Sequence, residues 1–245
     1  MIILTVLAVL GSASGVKLPD GIVLCRRSDP NFSECVRANL MSGLQKFKNG
    51  YKPLGVPVLE PFFIKKMEIS QAPTKAVAVS QKYTNLYVHG MTRSNVTKMK
   101  FTLEKNCGWV MDVQSPQINL IGDYELRGKI LMFPLNAHGR CNITLTNLHH
   151  RQIMKCEQYK KNDKTYLKFA NYTIEMNPES IHYDFSNIFP ANKQIQAEIR
   201  KMVNENSLVL FNDVRVGFQE AFSIFHMDIA NLVFSKIPMD DVFTP

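Results

Sequence analysis

Long apolar runs are scarce in this chain of 245 residues: beyond its first ten, no stretch reaches the 18 or so that would suggest a membrane-spanning helix. It also lacks a Gly-x-Ser-x-Gly elbow, a His-Glu-x-x-His helix and a phosphate-cradling glycine loop, so the commonest hydrolytic and nucleotide-dependent chemistries have no motif to rest on. No repeat, low-complexity tract or linker divides it, which points to one domain. Cysteine is sparse and odd in number: five residues cannot all pair, so at least one is a free thiol or bonds another chain. Charged side chains are absent from Met1 to Gly15.

That uncharged start carries an apolar run, Ile2 to Leu10, followed by the small residues Gly11 to Gly15. The pattern predicts a secretory signal peptide over 1–15 and a mature, soluble, extracellular domain over 16–245. Hydrophobic residues make up 45% of the chain and charged residues 20%, the balance of a globular protein with a real core. Four sequons, at Asn31, Asn95, Asn142 and Asn171, fit export. Asn142 and Asn171 fall within expected strands, so they should be the weaker glycan acceptors. Cys25 and Cys35 lie in a short Pro- and Asp-containing segment, where a disulfide would close a loop onto the following helix. Cys141 and Cys156 fall far apart on one expected strand, which disfavours their pairing. The net charge of +8 gives a basic surface, read either as simply solvated or as attracting an anionic lipid or polysaccharide. Its Lys and Arg are dispersed and no nucleic-acid motif accompanies them, so nucleic acid is not expected as a partner.

Ser33 is placed to cap a helix from Glu34 to Phe47, with Val36, Leu40, Leu44 and Phe47 on one stripe and Gly50 ending it. A Pro-rich passage, Pro53 to Pro61, must be extended. Strand patterns then follow one another from about Lys65 to Met176, with clear alternation in Gln117–Leu126 and Lys164–Met176. Several runs are far longer than an ordinary strand, and long strands coil because each is twisted. From about Asn192 to Phe234 apolar residues return at helical spacing, including Ile195, Ile199, Met202, Val214, Phe218, Phe225 and Ile229. The predicted architecture is α+β: a long C-terminal helix wrapped by a strongly curved antiparallel sheet.

Several motifs occur in an order that resembles the insect takeout and juvenile-hormone-binding family. They are Cys25-Arg26-Arg27-Ser28-Asp29-Pro30 with Cys35, Leu54-Gly55-Val56-Pro57-Val58-Leu59-Glu60-Pro61-Phe62, and Asn85-Leu86-Tyr87-Val88-His89-Gly90. The most specific is Gly122-Asp123-Tyr124-Glu125-Leu126-Arg127-Gly128-Lys129-Ile130-Leu131, followed by Pro134-Leu135 and Gly139. Asp184 to Phe189 and Pro238 to Phe243 complete the set. The resemblance implies an elongated single domain of the tubular lipid-binding type, with an internal apolar tunnel that carries a terpenoid-like or fatty-acid-like ligand and no enzymatic activity or cofactor. It also implies a monomer without a stable membrane anchor, whose further partners would be a recipient protein or an anionic surface. The chain departs from the family at Gly50-Tyr51-Lys52-Pro53, at Glu60 in place of Asp, and at Asn136 in place of a loop glycine. The absence of cysteine from 192–234 favours the takeout branch over the haemolymph hormone carriers.

The residues predicted to line the tunnel are Val36, Leu40 and Leu44 on the first helix and Ile199, Met202, Val214, Phe218, Phe222, Phe225 and Ile229 on the second. Tyr124 joins them as a polar-tipped aromatic that could orient an otherwise greasy ligand. His138, His149 and His150 lie near Cys141 and Cys156 in sequence but match no zinc-ligand spacing, so they read as surface histidines and no metal is expected. A membrane-active or pathogen-lipid-binding module of the same fold is the alternative reading.

Overall fold

A computed structural model describes residues 18–69, 77–104, 106–130, 133–188 and 193–245. The expected leader, Met1–Gly15, lies outside them. The elements in chain order are β1 (Cys25–Arg26), α1 (Phe32–Lys46), β2 (Phe62–Ile69), β3 (Val77–His89), β4 (Asn95–Thr102), β5 (Gly108–Ile130), β6 (Phe133–Lys161) and β7 (Lys164–Phe185). They end with α2 (Lys193–Glu205), α3 (Ser207–Phe234) and β8 (Phe243–Thr244).

The main sheet is antiparallel, in the order β2-β3-β5-β6-β7, with β4 pairing the first half of β5. Strands β5, β6 and β7 are 23, 29 and 22 residues long. A flat strand of 29 residues would reach roughly 95 Å at about 3.3 Å per residue, so these strands must coil. They coil around α3. The helix packs against β7 at one outer edge of the sheet and β2 at the other. Phe225 meets Phe62 of β2, with ring centroids 6.2 Å apart, and Phe218 meets Tyr83 of β3 at 6.1 Å. On the same helix, Gly217 lies so close to β2 that a Cβ there would fall 2.4 Å from Ile69 Cγ2.

Two departures from simple strands keep the apolar face inward. The inward residues of β5 are odd-numbered up to Ser115 and even-numbered from Ile118; those of β6 are odd up to Leu145 and even from Leu148. Pairing lapses at Pro116 and Asn147, which face each other, and again between Asn147 and Glu179 on β7. Pro116 has no N–H to give to the ladder, and Asn147 adopts a left-handed backbone (φ 45°) that few residues other than Asn or Gly tolerate. β5, β6 and β7 thus switch phase at one shared level, β7 switching once more between Phe169 and Tyr172, and an alternation read along the sequence changes parity at such points.

The helices depart from expectation at both ends of the chain. α1 begins at Phe32, two residues earlier than a Ser33 cap requires, and its N-cap Asn31 makes no side-chain capping bond. Ser33 instead bridges to β4, its hydroxyl accepting from the N–H of Phe101 at 3.0 Å. The C-terminal helical pattern is not one continuous helix. It breaks at Asn206, whose amide donates to the Met202 carbonyl at 2.8 Å while its own ψ opens to 18°. Asn204, Asn206 and Ser207 are residues whose side chains compete for backbone partners, and they weaken the helix there. The long helix is therefore α3, of 28 residues, preceded by α2 of 13.

Cys25 and Cys35 form the expected disulfide, with Cα atoms 5.7 Å apart. A second joins Cys107, just before β5, to Cys156 on β6. Cys141, buried on the inner side of β6, is the free thiol, and Cys156 does not pair with it. Both disulfides staple parts of the sheet or the N-terminal loop, and neither reaches α2 or α3.

Candidate ligand-binding cavity

A cavity of about 300 Å³ lies between the inner face of the sheet, α1 and α3. Its shape follows from the fold: strands that curl round a helix touch it along β2, β3 and β7 and stand off from it along β5 and β6. From α1 it is lined by Val36, Leu40 and Leu44, and from α3 by Phe218, Phe222 and Ile229. These six predicted residues come together there. The other predicted residues do not line it. Ile199 is buried and Met202 partly buried on α2, Val214 is partly buried on α3, and Phe225 packs between Phe62 and Phe222. The side chain of Ile195 lies outside the described residues.

Tyr124 also sits elsewhere. Its ring stands edge-on to Phe185, with centroids 4.8 Å apart, and its hydroxyl donates to the main-chain carbonyl of Ser186. Burial pushes its phenol up to about 12. It clamps β5 to the end of β7, and neither reaches solvent nor faces the cavity.

One end of the cavity is closed by aromatic rings. Trp109 lies 5.6 Å from Phe101, 4.8 Å from Phe169 and 6.3 Å from Phe234, and Phe243 of β8 lies 5.4 Å from Phe101. Such offset and edge-on pairs fill volume rigidly and add about 0.5–1.5 kcal/mol each beyond their burial. The short β1–β8 pairing, Cys25 opposite Phe243, ties this end to the first disulfide.

The wall contains no Lys, Arg, Asp or Glu among the described residues. Five of its polar side chains form one connected cluster, while Asn39, Tyr183 and Trp109, whose buried indole N–H has no partner, line it separately. Ser94 and Ser115 share a hydrogen bond of 2.6 Å, and Ser115 lies 3.2 Å from His150 Nε2. His150 Nδ1 lies 2.9 Å from the Gln152 amide nitrogen, and the Tyr172 hydroxyl donates to the Gln152 carbonyl. Because the Gln152 amide donates to Nδ1, the His150 proton is on Nε2 and is given to Ser115. From α3, His226 stacks on Tyr172 with ring centroids 5.7 Å apart, while its Nδ1 sits 2.8 Å from the Phe222 carbonyl.

Both rings are held neutral. Burial, followed by the proximity of His226 and His149, pushes His150 down to about 3, and burial lowers His226 despite its bond to Phe222. His138 and His149 are exposed as expected, but His150 is not a surface residue. The phase switch at Asn147 turns it inward together with Leu148, Gln152 and Met154. His226 was legible in principle, because it stands four residues after Phe222 and eight after Phe218 on the same helical face. A stripe assigned to Phe225 instead passes it by.

The sequence model of the haemolymph juvenile hormone binding protein family matches residues 3–244. The chain is 25% identical over 239 residues to the circadian clock-controlled protein daywake of Drosophila melanogaster, spanning 92% of this chain and 88% of that protein. Its identity to daywake of Drosophila yakuba is 26% over 223 residues, spanning 85% and 83% of the two chains. The crystal structure of Epiphyas postvittana Takeout 1 superposes with a TM-score of 0.78 at 18% identity, over 91% of this chain and 99% of that one. At that identity the likeness shows a common fold.

Proposed function

This chain belongs to the haemolymph juvenile hormone binding protein family, and from that premise we propose that it is a secreted, non-enzymatic carrier enclosing one small hydrophobic molecule. The observation that carries the reading is the cavity between sheet and helices, with mainly apolar walls and no charged side chain among its described residues. Its volume sits at the lower end of the roughly 300–1,000 Å³ typical of small-molecule sites. Burying a dozen methylenes is worth roughly 10 kcal/mol at about 0.8 each. Association costs of about 4–15 kcal/mol reduce this to a modest net affinity, so apolar contact gives strength with little discrimination. Export is supported by the leader pattern and by two disulfides, which persist in oxidising compartments.

Mass spectrometry of organic extracts from protein purified out of a secreting cell tests the reading directly, and a bound lipophile is expected. Delipidated protein should regain roughly 2.7 kcal/mol of stability at about 100 times the ligand's dissociation constant, seen as a raised Tm. Phe218→Leu and Leu40→Met preserve apolar character and should reorder ligand preference at modest stability cost. Empty extracts together with no Tm response to any long-chain lipophile would overturn the carrier reading.

A membrane-surface role draws support from a different observation: Val209, Val216 and Ile224 of α3 are 62%, 57% and 54% exposed on a basic protein. No described helix is long and apolar enough to cross a membrane. Co-sedimentation with anionic liposomes separates the two, because a carrier extracts lipid without remaining on the vesicle.

A further inference from the structure

The proton on His226 can be located from its partner. Nδ1 lies 2.8 Å from the Phe222 carbonyl, which has no hydrogen to give, so Nδ1 carries the proton and donates it. A neutral imidazole has only one such proton, so Nε2 is a bare lone pair. No described residue gives it a hydrogen bond, and among the described residues the other cavity-lining nitrogen left without a partner is the indole N–H of Trp109, a donor where His226 Nε2 is an acceptor. Deep burial keeps the ring uncharged, and the ring surface that remains free lines the cavity.

Resting on the carrier reading, we propose that His226 Nε2 is a polar subsite of the cavity and that the ligand it selects there is an uncharged lipophilic alcohol, whose hydroxyl donates to Nε2. A hydroxyl suits this site because it carries a hydrogen to give to His226 Nε2. An ester or ketone oxygen has no hydrogen for Nε2 and leaves that lone pair buried and unsatisfied. A carboxylate meets no cation, because the described wall holds no Lys or Arg, and it would lose its hydration without compensation.

The test uses delipidated full-length protein at pH 7.5 with the neutral fluorescent probe N-phenyl-1-naphthylamine, displaced by 1-dodecanol, methyl dodecanoate or dodecanoic acid. Dodecanol should displace the probe with a Kd on the order of tenfold below that of the ester, the scale of one buried group left unsatisfied, and the acid should be weakest. His226→Phe keeps the stack on Tyr172 and removes the lone pair the ester leaves unsatisfied, so the gap between dodecanol and the ester should close, chiefly through tighter binding of the ester. His226→Gln restores an acceptor and should recover part of the preference. The wild-type comparison stands even where a variant folds poorly. Equal affinity for alcohol and ester, or a preference that survives His226→Phe, overturns the alcohol subsite while leaving the carrier intact. Failure of all three ligands and of the probe overturns both.

Discussion

Asn231 on α3 pairs with Phe169 on β7 as a strand would: its carbonyl oxygen accepts the Phe169 N–H at 2.8 Å and its amide donates to the Phe169 carbonyl at 2.9 Å. Asn204 on α2 repeats the arrangement at Tyr183, with distances of 2.8 and 2.9 Å. β7 is an outer strand of the sheet, and outer strands expose main-chain groups that invite pairing with other chains. The two asparagines satisfy such groups and fix both helices to the strand that closes over the cavity. Asn231→Ala should cost about 1–3 kcal/mol, because both main-chain groups of the buried Phe169 lose their partner. Asn231→Asp should not rescue it, since a carboxylate cannot donate to the Phe169 carbonyl. Urea unfolding of both variants checks this, with the loss expected in the midpoint and little change in slope.

Stability should fall on mild acidification. His150 is pushed down to about 3 and His226 is also lowered, whereas both titrate near 6.5 when unfolded. Below that value the unfolded chain takes up protons that the folded protein refuses, so stability is fully present above about pH 6.5 and declines as pH falls toward the folded values. Two histidines give at most about 2.7 kcal/mol per pH unit. His150→Gln should flatten the decline between pH 6.5 and 5 by up to half, measured as unfolding free energy against pH.

Cys141 should be silent in the native protein. It is buried, and burial raises its thiol to about 11, so almost no thiolate exists at neutral pH. A thiol reagent such as dithionitrobenzoate should titrate none of the five cysteines in the native state and one after unfolding in guanidinium. Non-reducing peptide mapping should recover Cys25 with Cys35 and Cys107 with Cys156.

Glycan occupancy should follow exposure more closely than strand position. Asn31, Asn95 and Asn171 are exposed, while Asn142 is partly buried and its carbonyl accepts from Asn119 at 3.3 Å. The outward face of β7 removes the strand-based objection to Asn171. Glycopeptide analysis of the secreted protein should find Asn142 the emptiest of the four.

Gly217 tests the wrap of the sheet around the helix. Any side chain there meets Ile69, so Gly217→Val should cost about 1–3 kcal/mol through overpacking, and pairing it with Ile69→Ala should recover part of that loss. Thermal unfolding of the single and double variants measures the coupling.

The general plan was legible because it rests on patterns local to the chain. Runs of alternation too long for flat strands announced a curled sheet, and a 3.6-residue apolar period announced the helix inside it. Val36, Leu40, Leu44, Phe218, Phe222 and Ile229 were found because helical spacing names a face without knowledge of its neighbour. Tyr124 was misplaced because alternation says only that a strand residue points inward, and two different interiors lie beneath β5: the cavity, and the packed end where Phe185 and Ser186 wait. The break at Asn206 was present in the composition of 204–207, but an apolar stripe that continues on both sides hides a lost backbone bond.

The sequence by itself determined the class of the protein: the α+β architecture, the first disulfide, an unpaired cysteine and an interior built from apolar faces. All of these depend on periodicity, short spacings or counting. Only the tertiary structure decided which cysteine pairs with Cys107 and where the polar cluster of the cavity lies. Both depend on β5 and β6 lying side by side in one register, and the second also on each switching phase at Pro116 and Asn147. A single-residue phase change reverses every inward residue beyond it, and only the pairing of strands shows where it occurs. That reversal turns His150 from an expected surface residue into part of the cavity wall, where α3 brings His226 to meet it.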